Sequence, residues 1–297
     1  MDWSWFLVPV ERLPEPAELD GWFAQVQARC TGCDTLTSAM RGGRLAATPG
    51  LAFLAGYQAA LRRLWPSTPP GLGALCATEQ RSLRPADMQT RFTEGGISGA
   101  KDYVTAGPAA GWLLVAARDE APGHSPRLSL YLVETGAAGV TLEPGAPLPL
   151  VPDIPHARLR LDHAPARVLE GDGWDDFIKP FRTLEDLHVL AALVSWLHGL
   201  ALECRWPQEL QLRLLGLLPA AAEVATLSPS APATHLLLAG IQAQFEALQP
   251  SLDAALASGP PHWARLWQRD RRILDLARAA QARRLAQAVA AFGAPED

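Results

Sequence analysis

The side chains able to do chemistry are few and scattered over 297 residues. Cys30-x-x-Cys33 is a thiol pair without a second pair or a nearby histidine pair, so it does not read as a zinc site. Four cysteines in a chain of this length are too few for a disulfide framework, and they read as thiols of a reducing compartment. Asp162-His163, His188 and His198 stand apart from one another, as structural histidines do. Glu185 and Asp186 are adjacent acids inside a long apolar stretch. On a helix they project about 100° apart, so at most one can face a given pocket. Pairing with Arg182 or Lys179 on the helix surface is the ordinary alternative for both. Thr78, Tyr103 and Thr105 lie in strand-like segments, where such residues are good strand formers. Seven arginines between Arg265 and Arg284 alternate with Leu266, Ile273, Leu276 and Leu285, the pattern of an amphipathic helix with a wet face. No nucleophile elbow, Walker loop, dinucleotide glycine fingerprint or His-Glu-x-x-His occurs.

Three blocks of sequence must position these residues. Residues 1–71 read as a short helical region, with apolar spacing over Glu18–Arg29 and Leu51–Leu64, ended by Pro66-Ser67-Thr68-Pro69-Pro70-Gly71. Residues 72–170 read as strands. Gly111–Ala117 is a continuous apolar run, whereas Arg127–Val133 and His156–Asp162 alternate. Turn residues separate them at Pro108, Pro122-Gly123, Gly136, Gly139, Pro144-Gly145 and Pro147. Residues 171–297 read as four helical stretches. Asp175–Glu203 is apolar on most faces, the second stretch has a break or kink at Pro219, and the third has a kink at Pro250. The last, His262–Phe292, is expected to run straight through. The expected fold is thus α+β and multi-domain: a short N-terminal helical segment, a central β barrel or sandwich, and a C-terminal four-helix bundle.

Composition bounds the partners. The chain is 48% hydrophobic and 19% charged, enough to build a sizeable core, and its net charge is −5 with no long basic run. Nucleic acid and anionic membranes draw their binders through clustered cations, so neither is expected as a partner. No stretch reaches the roughly 20 apolar residues of a membrane helix, and the N-terminus lacks a signal-peptide pattern; a cytoplasmic protein is expected.

One region carries a family resemblance. Leu75-Cys76-Ala77-Thr78-Glu79, followed by Ile97-Ser98-Gly99-Ala100-Lys101-Asp102-Tyr103-Val104-Thr105-Ala106-Gly107, resembles the flavin-contacting strands of acyl-CoA dehydrogenases. The likeness continues through Trp112–Arg118, Leu161–Leu169 and the Gly171-Asp172-Gly173-Trp174 turn that opens the long helix. It implies FAD between the β domain and the bundle, with the ring held by Ala77, Thr78, Tyr103, Val104 and Thr105. It further implies α,β-desaturation of an acyl-CoA or related thioester, a bacterial-type homodimer or homotetramer, and an electron-transfer flavoprotein as acceptor.

The sequence departs from the family pattern at four places. The glycine-containing phosphate turn after the Thr-Glu strand is replaced by Gln80-Arg81-Ser82-Leu83-Arg84, where Arg84 or Arg81 offers charge instead. The turn ending the long helix keeps only Arg205, and the Gln-x-x-Gly-Gly segment is absent. The usual base between the last two helices falls at Arg278, which has no accessible proton-accepting state. A minority of the family takes the base from the long helix just before an Ala-Ala pair; counting back from Ala191-Ala192 points to Asp186, with Glu185 one residue off. Finally, the N-terminal helices that normally wall the acyl cavity are shortened. A homologue without catalysis, serving as a binding or partner subunit with weak or no FAD binding, is the other reading.

Overall fold

The computed structural model describes residues 2–119, 127–145 and 148–293, so the expected turns at Pro122-Gly123 and Pro147 lie outside the described residues. Three N-terminal helices come first: α1 (Leu19–Arg29), α2 (Thr35–Leu45) and α3 (Pro49–Leu64). Each of the last two has a built start. Asp34 caps α2 by accepting from the Thr37 amide, and Thr48 caps α3 by accepting from the Leu51 amide, with Pro49 in the first turn.

Among the described residues the middle of the chain forms eight strands: β1 (Gly73–Cys76), β2 (Arg91–Thr93), β3 (Gly96–Thr105), β4 (Trp112–Asp119), β5 (Arg127–Glu134), β6 (Val140–Pro144), β7 (His156–Ala164) and β8 (Arg167–Val168). Their order is β6-β7-β3-β2-β4-β5-β8, and β1 runs parallel to β4 beside Trp112–Val115. The apolar run seen in the sequence is β4, and it is continuous because both of its faces are buried. Trp112, Leu114 and Ala116 join the core shared with the helices. Leu113, Val115 and Ala117 point into a second core, enclosed by the sheet with Ile97, Val104, Leu159 and Leu161. Gly73 must be glycine, since a Cβ there would lie 2.2 Å from the Trp112 ring.

The C-terminal part contains α4 (Lys179–Glu203), α5 (Gln208–Val224), α6 (Pro232–Glu246), α7 (Gln249–Ala257), α8 (Pro261–Asp270) and α9 (Arg278–Gly293). A π-helical turn over Gly173–Ile178, capped by Asp172, leads into α4. Every residue of α4 from Leu187 to Ala201 is buried, which places this helix at the centre of the molecule, as its uniform hydrophobicity predicts. Pro219 sits inside a continuous α5, so the helix does not break there. One expectation fails in detail. The last stretch does not run straight through: a 3-10 turn, Arg271–Asp275, separates α8 from α9. No helix among the described residues is long and apolar enough to cross a membrane.

Small residues let the central helices touch backbone to backbone. A Cβ on Gly43 would lie 2.1 Å from the Ala192 carbonyl oxygen, and one on Gly56 would lie 2.7 Å from the Val189 Cα. Both α2 and α3 therefore pack directly onto α4. The N-terminal tail is clamped to the same bundle by Arg44, wholly buried, which donates to the Phe6 carbonyl (3.1 Å), the Val8 carbonyl (2.6 Å) and His198 Nδ1 (3.1 Å). Burial, with Arg44 alongside, pushes the His198 imidazole down to about 4, so its ring is neutral and accepts at Nδ1.

Candidate active site

The edge of β1 that faces away from β4 is covered by side chains of α3. Gln58 takes both the amide and the carbonyl of Gly73 (3.1 and 2.7 Å), and the Tyr57 hydroxyl accepts from the Leu75 amide at 2.9 Å. These bonds supply what a neighbouring strand would otherwise give an open edge. They also fix the Tyr57 hydroxyl at the junction of α3, β1 and β3, where Thr105 approaches it. Tyr57 is buried and its phenol is pushed well above its ordinary range, chiefly by desolvation and then by the Glu185 charge. It is therefore a neutral hydroxyl at any working pH.

Beyond β1, the Thr78 carbonyl accepts from the Asp102 amide at 2.9 Å, tying the two resemblance-bearing segments together. Glu79 turns inward and forms a buried ion pair with Lys101; it also accepts from the Gln89 amide (2.6 Å). The next two residues, Gln80 and Arg81, both have positive φ, at 47° and 64°, while Glu79 and Ser82 exchange both backbone hydrogen bonds (2.9 and 2.7 Å). This is a two-residue hairpin of the kind that favours Asn and Gly. The backbone thus keeps a glycine-like course where the glycine is missing, and the Asp102 carboxylate holds it by accepting from the Arg81 amide at 2.7 Å. Around it lies a cavity of about 500 Å³, lined among others by Arg81, Tyr103, His156, Arg158 and Arg160. Tyr103 is 48% exposed, an aromatic face turned outward from a strand. Val104, next to it, is buried inside the sheet, and Ala77 is buried at the end of β1.

The two acids on α4 go to different places. Asp186 is ion-paired with Arg284 of α9. Glu185 lies about 100° round the helix from it, on the stripe with Phe181 one turn before it and His188 and Val189 one turn after it. Phe181 packs edge-to-face on Tyr57 (centroids 5.6 Å, 87°), so this stripe faces α3. The Glu185 carboxylate makes no hydrogen bond or ion pair among the described residues. Burial, with Asp186 next in weight, pushes it up to about 8 against the opposing pull of Arg182 and Arg284.

The remaining sequence-derived candidates are more remote. Arg84 is exposed, and its amide donates to the Ser82 hydroxyl at 3.2 Å. Arg205 adopts a positive φ of 51° in the turn ending α4, about 30 Å along the helix axis from Glu185. Arg278 is an exposed surface cation bonded to Glu246 and Asp275. Sequence reasoning missed Tyr57: nothing in the α3 pattern marks it, since its role comes from an edge strand that follows it in the chain.

Comparison of the sequence with protein-family models and with curated proteins finds no match. Comparison of the structure does. FkbI, for biosynthesis of the methoxymalonyl extender unit of the Fk520 polyketide, superposes with a TM-score of 0.63 at 19% identity, covering 96% of this chain and 94% of that one. Butyryl-CoA dehydrogenase from Megasphaera elsdenii gives 0.63 at 12% identity, covering 87% and 83%. The FAD complex of PigA gives 0.60 at 15% identity, covering 91% and 88%. The chain has the acyl-CoA dehydrogenase fold. Within that fold, β1 and β3 are the strands whose sequence carries the resemblance, and α4 is the long helix that follows the β domain.

Proposed function

We propose that this chain is an FAD-dependent oxidoreductase that introduces a double bond between the α- and β-carbons of an acyl thioester. The observation that carries the reading is the Glu185 carboxylate: without a partner, raised in proton affinity, and set on the face of α4 that meets Tyr57 and Thr105. An enzyme base for a carbon acid needs this combination, because a carboxylate already satisfied by an arginine has little to gain from a proton. Burial raises Asp186 as well, but Arg284 pulls against that rise and engages the carboxylate, so it is not free to face a substrate. The role proposed for the pair therefore falls to Glu185.

The residues at β1 and β3 suit a flavin. The Thr78 hydroxyl makes no hydrogen bond among the described residues, and the exposed Tyr103 ring offers a flat flank. We assign Ala77 and Thr78 to the polar edge of the ring, and Tyr103, Val104 and Thr105 to its flank and second edge. Arg84 serves the phosphates, and Arg205 serves a neighbouring copy in a homodimer or homotetramer. FAD, when bound, accepts the hydride that leaves the β-carbon. Glu185 takes the proton from the α-carbon, and Tyr57, neutral and anchored on the Leu75 amide, keeps water from the carboxylate. Reoxidation would fall to an electron-transfer flavoprotein.

The test is bleaching of the FAD-loaded protein by acyl-CoA under anaerobic conditions. Glu185→Gln should slow bleaching by about 10²–10⁴-fold, the usual worth of a general base. Asp186→Asn should leave most of it. Equal loss in both variants would remove Glu185 from its role. A second reading, a non-catalytic binding subunit, is favoured by Gln80 and Arg81 in the phosphate turn; protein that takes up no FAD would support it.

A further inference from the structure

We infer that the site admits only short acyl groups, because the groove between α3 and α4 on either side of Glu185 is closed by Tyr57 with Phe181 and by Gly56 against His188 and Val189. The inference rests on the thioester reading above and names the substrate class that reading leaves open. A reacting α-carbon must lie within hydrogen-bond-like reach of the Glu185 carboxylate, so the rest of the acyl group must find room next to it. Inside the protein three directions are available from a side chain on this stripe: along α4 toward its start, along α4 toward its end, or back toward β3; the half-buried Glu185 also leaves a way outward, where a chain gains no burial.

Toward the start of α4, Phe181 stands one turn away, about 5.4 Å along the axis, with its ring edge-to-face on Tyr57. Both rings are buried. Toward the end, α3 is in backbone contact with α4. A Cβ on Gly56 would be 2.7 Å from the Val189 Cα and 2.8 Å from the His188 carbonyl oxygen, and two turns beyond Glu185 the neighbouring α2 closes in, where one on Gly43 would be 2.1 Å from the Ala192 carbonyl oxygen. Helices this close leave no channel for a polymethylene chain, and the glycines set that distance rather than any movable side chain. His188 is locked as well, with Nδ1 on the Leu184 carbonyl (2.7 Å) and Nε2 on the Thr35 hydroxyl (3.2 Å). Inside the protein only the direction of Thr105 remains, and that space must also hold the flavin and the thioester. An acyl group of a few carbons fits such a site; a fatty chain does not.

The experiment measures affinity against chain length. FAD-loaded protein is titrated with the 2-enoyl-CoA series from crotonyl to 2-decenoyl, the dehydrogenated forms, which bind without turnover. A housed chain gains affinity by about fourfold per added methylene. The expected result is a flat or falling series beyond four to six carbons. A rise of about fourfold per methylene through 2-decenoyl-CoA would overturn the inference while leaving the thioester reading intact. Absence of binding at every length, in protein shown to hold FAD, would overturn both. A second measurement uses Tyr57→Ala, checked for folding by its circular dichroism melt: removing one closing ring should raise affinity for 2-octenoyl-CoA at least tenfold relative to crotonyl-CoA. An unchanged ratio in a folded variant would also contradict the inference.

Discussion

Glu185 and Asp186 are consecutive residues whose carboxylates project about 100° apart on one helix, the first against α3 and the second in an ion pair with Arg284 of α9. Their proximity still matters electrostatically, because the Asp186 charge is the second-largest influence raising Glu185. Catalysis by the deprotonated form of Glu185 should therefore increase with pH through about 8 and level off above it. Asp186→Asn removes the neighbouring negative charge and releases Arg284, so the inflection should move to lower pH. The pH dependence of kcat/KM for both proteins checks this; an inflection that stays in place or moves upward in Asp186→Asn would be contrary to it.

The same carboxylate sets a stability signature that needs no substrate. Its proton is bound more tightly in the folded chain than in the unfolded one, whose value is near 4.5. Between about 4.5 and 8 the native state holds a proton that the unfolded state has lost, so stability falls as pH rises across that window. Glu185→Gln cannot lose the proton. It should match the native protein near pH 4.5 and exceed it at pH 8.5, by roughly 4 kcal/mol. Urea melts at the two pH values read the difference directly, and equal differences at both would remove the burial argument.

Glycine in a helix normally costs about 1 kcal/mol relative to alanine. At Gly43 the sign should reverse, because a Cβ would run into the Ala192 backbone, which cannot swing aside. Gly43→Ala should therefore destabilise the fold by about 1–3 kcal/mol or more, whereas Gly216→Ala, with open space around it in α5, should be neutral or stabilising. Thermal melts of the two variants test the contrast.

How far these relationships were legible in the sequence depends on their range. The three-part order of helices, strands and bundle follows from local periodicity, and β4 and α4 could be read because burial on both faces leaves an apolar run. Helix α2 was not marked, since Gly42-Gly43 lowers its helix propensity; those glycines serve contact with Ala55 and Ala192, which are remote in the chain. The choice between Glu185 and Asp186 was equally closed to local reasoning. Adjacency shows that they diverge, but only the packing of Phe181 on Tyr57 and of Asp186 on Arg284 shows which goes where. The residue types show that the phosphate turn lacks its glycine; the left-handed course of Gln80 and Arg81 becomes visible only with the backbone.

Arg44 offers a check on the N-terminal tail. Its guanidinium serves two tail carbonyls and His198 without any carboxylate. Arg44→Met should leave those buried acceptors unpaired, at a cost of about 1–3 kcal/mol for each that water cannot reach. Limited proteolysis should then release the segment before α1 much faster than from the native protein. An unchanged cleavage rate would show that the aromatic contacts of Trp5 and Phe6 hold the tail alone.

The account turns on a flavin seated between β1 and β3 opposite Glu185, and equilibrium dialysis of the purified protein against FAD tests this most directly. One FAD per chain is predicted, with uptake weakened at least tenfold in Tyr103→Ser and in Thr78→Val but not in Arg278→Gln. A chain that stays colourless in excess FAD, or that binds it equally well in all three variants, would contradict it.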